Sequence, residues 1–180
     1  MKHGGWVSTS LSYVCLTEKG QPDPWQAEAA AQGGVGTQRI VQAGEVPVPA
    51  LVADLLEVAR DSPVVVRRRI MYLDDRPVEL TDTYYPARVA AGTPLCGTAK
   101  IRGGAVALLA ALGHVGRRVR EDVEARMPDT AERAALRMDP GEPVLTLTRV
   151  TLDAEDRPIQ ADLMTMPAHR RRLRYELTMG

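Results

Sequence analysis

The chain has 180 residues, and its 23 basic and 23 acidic side chains give a formal net charge of zero. The length fits one domain with a substantial hydrophobic core. The balanced charge argues against a general nucleic-acid binder and against a charge-driven disordered chain. The longest apolar run, Gly103 to Leu112, is shorter than the roughly 18 residues of a membrane helix.

The spacing of cysteine and histidine gives no sign of a metal centre or a disulfide framework. The two cysteines lack CxxC spacing, and the three histidines stand apart from one another. The N-terminus lacks the apolar stretch of a secretory signal. We therefore predict a cytoplasmic protein with no metal, no cofactor and no membrane contact.

The N-terminal fifth of the chain differs in composition from the rest. Asp23 is placed to cap a short helix with Pro24 at its first position, and Gly33 is placed to end it. We interpret residues 1–36 as a leader or linker with this one short helix. Residues 37–180 are then the folded domain.

Two stretches of the folded domain, residues 62–86 and 142–167, resemble each other. The matching positions are Pro63 with Pro143, Arg69 with Arg149, the Asp-Arg-Pro of 75–77 with that of 156–158, and Pro86 with Pro167. Each copy has a β-branched run, a polar turn and a second alternating run that proline closes. This order is typical of a β-hairpin.

The segments that precede the two hairpins repeat as well. Strand-like runs occupy Gln38–Val46 and Arg117–Arg126, and each is followed by a predicted helix. Apolar residues at helical spacing mark the first helix, over residues 48–59. Asp129 and Glu132 form a predicted capping box that opens the second helix. The repeated unit is therefore β-α-β-β.

Two further elements complete the predicted fold. A helix from Ala105 to Leu112 lies between the two repeats, and a last strand runs from Leu173 to Thr178. Two β-α-β-β units most simply form one antiparallel sheet with helices on one face. We predict an α+β domain with pseudo-twofold symmetry, in which the seam between the halves is the favoured place for a ligand cleft.

The first hairpin carries candidate anion-binding residues. Strand alternation puts Arg67 and Arg69 on one face and Arg68 on the other. Arg69 then offers a fork for a phosphate or carboxylate, with a solvated or cross-strand-paired face as the alternative. On the next strand, Glu79 or Thr81 is a candidate hydrogen-bonding group for a ligand hydroxyl, whereas Asp82 on the other face is ordinary surface polarity.

The start of the helix between the repeats is a second candidate anion site. Arg102 supplies a charge, and Gly103, Gly104 and Ala105 leave backbone N–H groups unobstructed at a helix N-terminus. The alternative is a flexible loop that enters a helix. Glu121 has apolar neighbours on its strand face, so it either faces a cleft or lies at a sheet edge. No nucleophile and base occur in a recognisable pattern, so we assign no catalytic residue.

Three stretches together resemble a UTRA domain. They are Val64–Pro86, the helix Gly103–Gly113, and the second hairpin, which reads PGEPVLTLTRVTLDAEDRPIQ from Pro140 to Gln160. The UTRA domain is the effector-binding domain of the HutC subfamily of GntR-type transcription regulators, and it has the chorismate-lyase fold. The resemblance covers about residues 36–178.

The resemblance implies a homodimeric regulator that binds a small metabolite and acts without catalysis. It implies that DNA is bound only through a winged-helix domain that precedes the UTRA domain. Such a reader needs about 70 further residues, which residues 1–36 cannot hold. We therefore expect an excised effector domain or a natural truncation. A chorismate-lyase-like enzyme and a dimerisation-only module are the alternative functions.

The resemblance also implies a ligand position. Phosphosugar-binding members have an arginine eight residues before the proline of the first hairpin, and Arg69 matches it. Their other polar positions correspond here to Met71, Thr81, Gly104, Gln160 and Met166. Most sugar contacts are therefore absent, while the anion end is retained. We expect a small anionic or amphipathic metabolite effector, with Arg69, Thr81, Arg102, Gly103, Gly104, Ala105, Glu121 and Gln160 as the binding residues.

Overall fold

The computed structural model describes residues 6–15, 23–101 and 103–177 of the chain. Its strands are β1 (Trp6–Ser8), β2 (Gly36–Pro47), β3 (Pro63–Leu73), β4 (Arg76–Pro86), β5 (Arg118–Arg126), β6 (Val144–Leu152), β7 (Pro158–Pro167) and β8 (Arg171–Leu173). Its helices are α1 (Leu11–Val14), α2 (Pro24–Ala31), α3 (Ala50–Leu56), α4 (Ala87–Ala90), α5 (Gly104–Ala111) and α6 (Thr130–Leu136), with a 3-10 turn at Pro94–Cys96.

The two sequence repeats form one six-stranded antiparallel sheet of order β2-β3-β4-β7-β6-β5. Each repeat supplies a three-stranded half, and the halves meet where β4 pairs with β7. The first hairpin turns at Asp74 and Asp75, which have φ of +47° and +64°, and the second has Asp156 at +60°. Aspartate tolerates this left-handed conformation better than most residues. The predicted α+β class and repeat architecture are confirmed.

The repeat helices α3 and α6 lie on the same face of the sheet. Val52 and Leu56 of α3 pack against Val64, Val66 and Tyr84 of the first hairpin. In the second repeat, Leu136 packs against Val144 and Leu80, and the predicted capping box of Asp129 and Glu132 is present at the start of α6. These apolar contacts build the core on this face.

The helix between the repeats lies on the opposite face of the sheet. Leu109 of α5 belongs to a cluster with Val65, Tyr85 and Leu95. Val65 alternates with Val64 and Val66 along β3, so its side chain points away from α3. Helices therefore cover both faces, whereas the sequence placed them on one. The uniformly apolar α5 gives no signal of which face it covers.

The N-terminal segment packs on the sheet rather than extending away from it. Trp25 and Ala29 of α2 are buried against Met71 and Val78, and the Asp23 side chain accepts a hydrogen bond from the backbone N–H of Trp25 at 3.0 Å, as expected for the cap. Strand β1 pairs in parallel with β8. Neither β1 nor α1 was expected. The division at residue 36 stays a prediction.

The last strand differs from the sequence prediction. The sequence placed it at 173–178, whereas β8 covers Arg171–Leu173. Its partner β1 ends at Ser8, so residues 174–177 have no adjacent strand among the described residues with which to continue a ladder. Thr178 lies outside the described residues. Arg174 makes one further hydrogen bond, from its backbone N–H to the Ser8 carbonyl at 2.9 Å. Within the described ranges, no helix is long and apolar enough to cross a membrane.

Candidate functional site

A stripe of polar side chains crosses the face of the sheet that α5 covers. It runs over the seam between the repeats, and its members are Arg69, Glu79, Thr81, Thr83, Arg149, Gln160 and Asp162. Alternation along each strand puts these positions on one face. Thr81, Thr83 and Asp162 are each less than 5 % exposed. Polar groups this deeply buried require hydrogen-bonding partners.

A chain of hydrogen bonds joins the two halves of the sheet at this stripe. Arg69 Nη2 donates to Thr83 Oγ1 at 2.8 Å, and the Thr83 hydroxyl donates to Asp162 Oδ1 at 2.7 Å. The other Asp162 oxygen accepts from Gln160 Nε2 at 2.8 Å. Arg69 and Thr83 belong to the first repeat, while Gln160 and Asp162 belong to the second. The seam is therefore also the polar centre of the domain.

Arg69 keeps an unused hydrogen-bond donor. Its Nε is buried and has no hydrogen-bond partner among the described residues. Its neighbour across β2 is Ile40, which cannot accept a hydrogen bond. The repeat mate Arg149 instead faces Glu121 across β5, and its Nε donates to Glu121 Oε1 at 2.6 Å. The two matching arginines therefore differ, because only Arg149 has a carboxylate beside it.

Two adjoining cavities meet at Arg69. We call the smaller one, about 140 Å³, the polar cavity, and it is lined by the polar stripe together with Met71, Met164 and the start of α5. The larger one, about 560 Å³, is the outer cavity, between α2, β2 and the segment 98–105. Both are lined by Arg69, Tyr85, Gly104 and Ala105. Ligand sites in proteins typically measure roughly 300–1,000 Å³.

Arg67 fixes the loop that borders the outer cavity. Its guanidinium donates to the carbonyl oxygens of Pro94 (3.3 Å), Leu95 (3.2 Å), Gly97 and Ala99 (3.2 Å). The residue is 6 % exposed, and burial lowers its pKa. Carbonyl dipoles rather than a carboxylate balance this charge, so the loop depends on Arg67 for its shape.

The N-terminal segment contributes to the site through two carboxylates. Ser10 Oγ donates to Glu121 Oε2 at 2.9 Å, on the side opposite Arg149. Burial disfavours the charge of Glu121, but the hydrogen bonds from Ser10 and Arg149 outweigh it and hold its pKa below the usual value. The Tyr13 hydroxyl donates to Glu28 Oε2 at 2.6 Å.

Glu28 is connected to the polar stripe through Arg171. Arg171 pairs with Glu28 at 3.3 Å and also with Glu79. Glu79 Oε1 in turn accepts from Thr81 Oγ1 at 2.6 Å. The N-terminal segment therefore contacts the groups that line the polar cavity, both directly and through Arg171.

Comparison with known proteins identifies the family. The family model described as "UTRA domain" matches residues 31–172. This chain belongs to the UTRA domain family. The UTRA domain is homologous to the effector-binding domains of GntR-family transcriptional regulators, and its fold is of the chorismate-lyase type.

Individual relatives of this UTRA domain agree with that family. HTH-type transcriptional regulator GgaR of Escherichia coli (strain K12) is 30% identical over 115 residues, which cover 64% of this chain and 44% of that protein. The chain thus spans less than half the length of the curated relatives it matches. The effector domain of PhnF from Mycobacterium smegmatis has a TM-score of 0.73 at 23% identity, covering 86% of this chain and 94% of that one.

A third relative is a solved C-terminal domain of a histidine utilization repressor from Pseudomonas syringae pv. tomato str. DC3000. It has a TM-score of 0.67 at 24% identity, and the match covers 80% of this chain and 99% of that one. At this identity the likeness establishes the fold of the UTRA domain alone.

The structure brings most of the sequence-predicted binding residues of the UTRA domain together. The residues that line the polar cavity are Arg69, Thr81, Gly103, Gly104, Ala105 and Gln160. Glu121 reaches the cavity only through Arg149, which it pairs with. Arg102 lies outside the described residues. Their roles in binding stay predictions.

The helix start differs from its expected form in one respect. Gly103 and Gly104 have φ of +79° and +80°, a conformation that favours glycine. However, the backbone N–H of Gly104 donates to the Ile101 carbonyl at 3.1 Å. That amide is therefore not free for a ligand, because the two left-handed residues close a turn at this point.

Sequence reasoning missed three residues of the site. Asp162 lies two positions after Gln160 and shares its face, so alternation along the strand was the signal for it. Thr83 stands in the same relation to Thr81. Tyr13 lines the polar cavity from the N-terminal segment; the aromatic residues of that segment, Trp6, Tyr13 and Trp25, favour docking on the domain but do not indicate where.

Replacement of Arg67 by methionine tests its role in the loop. Arg67→Met removes donors to four carbonyls, so we expect the free energy of unfolding to fall by at least about 2 kcal/mol. The measurement is urea denaturation followed by circular dichroism. Arg68→Met is the matched control, because Arg68 lies on the opposite face of β3, where its side chain is exposed and pairs with Asp82 at 2.8 Å. Its loss should stay below about 1 kcal/mol. Equal losses of unfolding free energy in the two variants would contradict the role of Arg67 in fixing the loop.

The ion pair of Glu121 predicts a pH dependence of stability. Because the folded pKa lies below the usual 4.5, this stabilisation is complete above that pH and is lost as the pH falls through the folded pKa. Glu121→Gln should lower the free energy of unfolding at pH 7 by roughly 3 kcal/mol, since it leaves the buried Arg149 without a countercharge. The difference in unfolding free energy between Glu121→Gln and the wild type should become smaller as the pH falls below 4.5.

The control for this experiment is Glu124→Gln, a change at an exposed position of the same strand. It should leave the stability at pH 7 within about 0.5 kcal/mol of the wild type. If the unfolding free energies of the wild type and Glu121→Gln differ as much at pH 3 as at pH 7, the charge of Glu121 is not what stabilises the fold.

Proposed function

We propose that this chain is the effector-binding part of a longer GntR-type transcriptional repressor of the HutC subfamily, and that it binds a small metabolite without catalysing a reaction. The observation that carries the proposal is Arg69, a side chain that lines both cavities and whose buried Nε has no hydrogen-bond partner among the described residues. A buried charged donor left in this state is costly unless a ligand completes it.

The ligand of this proposal carries an anionic group and hydrogen-bond donors. The anion meets Arg69 and the start of α5, where Gly103, Gly104 and Ala105 line the cavity. The opposite wall offers acceptors, because Asp162 is a carboxylate that accepts two hydrogen bonds from the described residues and has further lone pairs. Thr81 and Gln160 complete the polar contacts.

Two further predicted residues act indirectly in this proposal. Glu121 positions Arg149, which lines the polar cavity, and so shapes the wall without touching the ligand. Arg102 remains a candidate anion ligand beside the glycines of the helix start.

The N-terminal segment transmits the state of the cavity. In relatives built as longer regulators, the region outside the UTRA domain includes the DNA reader. Here the Ser10 hydroxyl donates a hydrogen bond to Glu121, which pairs with Arg149. The Tyr13 hydroxyl donates to Glu28, which Arg171 connects with Glu79. A ligand that favours one arrangement of these groups therefore favours one arrangement of the segment.

The remaining partners follow from the family. We propose a cytoplasmic homodimer that contacts DNA only through a winged-helix domain outside this chain, with no cofactor. The zero net charge of the chain agrees with this division, since the DNA-reading charge then belongs to the other domain.

A thermal-shift screen of small carboxylates and phosphate esters tests the proposal. A true effector should raise the Tm progressively with concentration, because it binds the folded state alone. Arg69→Met should abolish the rise, whereas Arg68→Met, one residue away on the opposite face, should retain it. Compounds that stabilise both variants equally would overturn the assignment of Arg69. A panel that never raises the Tm would favour a dimerisation-only module.

Chorismate belongs in the same panel. The proposal predicts no loss of its absorbance over hours of incubation with the protein. Turnover at a rate above that of the buffer would support the chorismate-lyase-like alternative instead.

A further inference from the structure

A third cavity lies beside α5, where Val106, Leu109 and Ala110 line it. It measures about 440 Å³, and we call it the apolar cavity. Its apolar lining comes from α1, α5, the loop that follows α5, β5 and the start of β7, and includes Val14, Val106, Ala110, Val115, Val119 and Ile159. A space of this size and composition is suited to a hydrocarbon group.

The apolar cavity adjoins the polar cavity. Tyr13, Cys15, Val106 and Gln160 line both of them. Gln160 marks the change in chemistry, since its amide donates to Asp162 on the polar side while the adjacent Ile159 lines only the apolar side. A ligand that passes this point leaves carboxylate and hydroxyl partners and enters an environment of valine, alanine and isoleucine side chains.

The charges along this path are asymmetric. Arg69 lies at the inner end with its buried Nε unpartnered among the described residues. At the other end, Arg117 and Arg118 are exposed, and Arg118 pairs with Asp156 at 2.9 Å. An exposed guanidinium is strongly hydrated and selects an anion weakly. The geometry therefore favours a negative head at Arg69 and an uncharged tail toward α1.

We propose that the effector is an amphipathic anion, and this rests on the effector-binding function proposed above. Its carboxylate or phosphate binds Arg69, a hydrogen-bond donor near the head binds Asp162, and its alkyl or aryl tail lies in the apolar cavity. The polar cavity alone, at about 140 Å³, is small for a whole ligand. Together the two cavities provide separate sites for the head and the tail.

N-acylglycines of increasing chain length test the proposal, because they combine a carboxylate, one N–H donor and an alkyl tail. Affinity is measured by isothermal titration calorimetry with N-acetyl-, N-butanoyl-, N-octanoyl- and N-dodecanoylglycine. We expect it to rise by about fourfold for each methylene that enters the cavity, and to level off when the cavity is full. Affinity independent of chain length would overturn the proposal.

Variants of the cavity wall locate the tail. Ala110→Phe places a ring in the apolar cavity and should weaken N-dodecanoylglycine at least tenfold while leaving N-acetylglycine unchanged. Ala111→Phe, at the exposed next residue, is the control and should change neither by more than twofold. If Ala110→Phe does not fold, Val119→Ser probes the facing wall, with exposed Val123→Ser on the same strand face as its control. Equal effects of a variant and its control would contradict the tail position.

Variants of the two charged ends determine the orientation. Arg69→Met should abolish binding of every N-acylglycine, whereas Arg117→Met should leave affinity within twofold. The reverse result would place the head at the rim and overturn the proposal. If Arg69→Met loses binding but the affinity of the wild type does not depend on chain length, the tail site is refuted and the proposed effector function stands.

Discussion

Two guanidinium groups lie on the face of the sheet that α5 covers, and the site depends on the hydrogen bonds that each one makes. Arg67 and Arg69 are two residues apart on β3, so both must point beneath α5. A buried charge needs hydrogen bonds in proportion to the hydration it loses. For Arg67 the carbonyls of residues 94–99 supply them, which fixes the loop. For Arg69 the protein supplies Thr83, and Nε has no hydrogen-bond partner among the described residues.

The repeat explains why Arg69 rather than Arg149 is the arginine left available. Both occupy the same position in their hairpins, and both face the polar cavity. Their difference comes from the outer strand of each half, where Glu121 faces Arg149 and Ile40 faces Arg69. The two repeats thus have an arginine at equivalent positions. The facing residue on the edge strand, Glu121 or Ile40, decides whether that arginine is neutralised within the fold.

Local patterns were sufficient for most of the fold and for part of the site. The repeated Asp-Arg-Pro turns and the capping box of Asp129 are short-range signals, and the hairpins and α6 follow them. Alternation placed Arg67 and Arg69 on one face correctly. The position of α5 on the opposite face from α3 could not be predicted, because its apolar residues surround the helix and mark no buried side.

Long-range contacts account for what the sequence did not show. Ser10 and Tyr13 meet Glu121 and Glu28 only because β1 returns to pair with β8. That three-residue ladder is too short to leave a recognisable alternation. The lack of a carboxylate beside Arg69 on the β2 side likewise depends on Ile40, whose register with Arg69 is set by the irregularity that follows it in β2.

We propose that an anionic effector completes the hydrogen bonds of Arg69. Proton–nitrogen correlation NMR of the arginine Nε–H groups tests it most directly, with the Arg69 signal assigned by its loss in Arg69→Lys. During titration with the anion that raises the Tm most, the account predicts a saturable downfield shift of the Arg69 Nε–H signal, as expected for a new hydrogen bond to an anion. An unchanged Arg69 signal at full saturation of the protein would contradict the account.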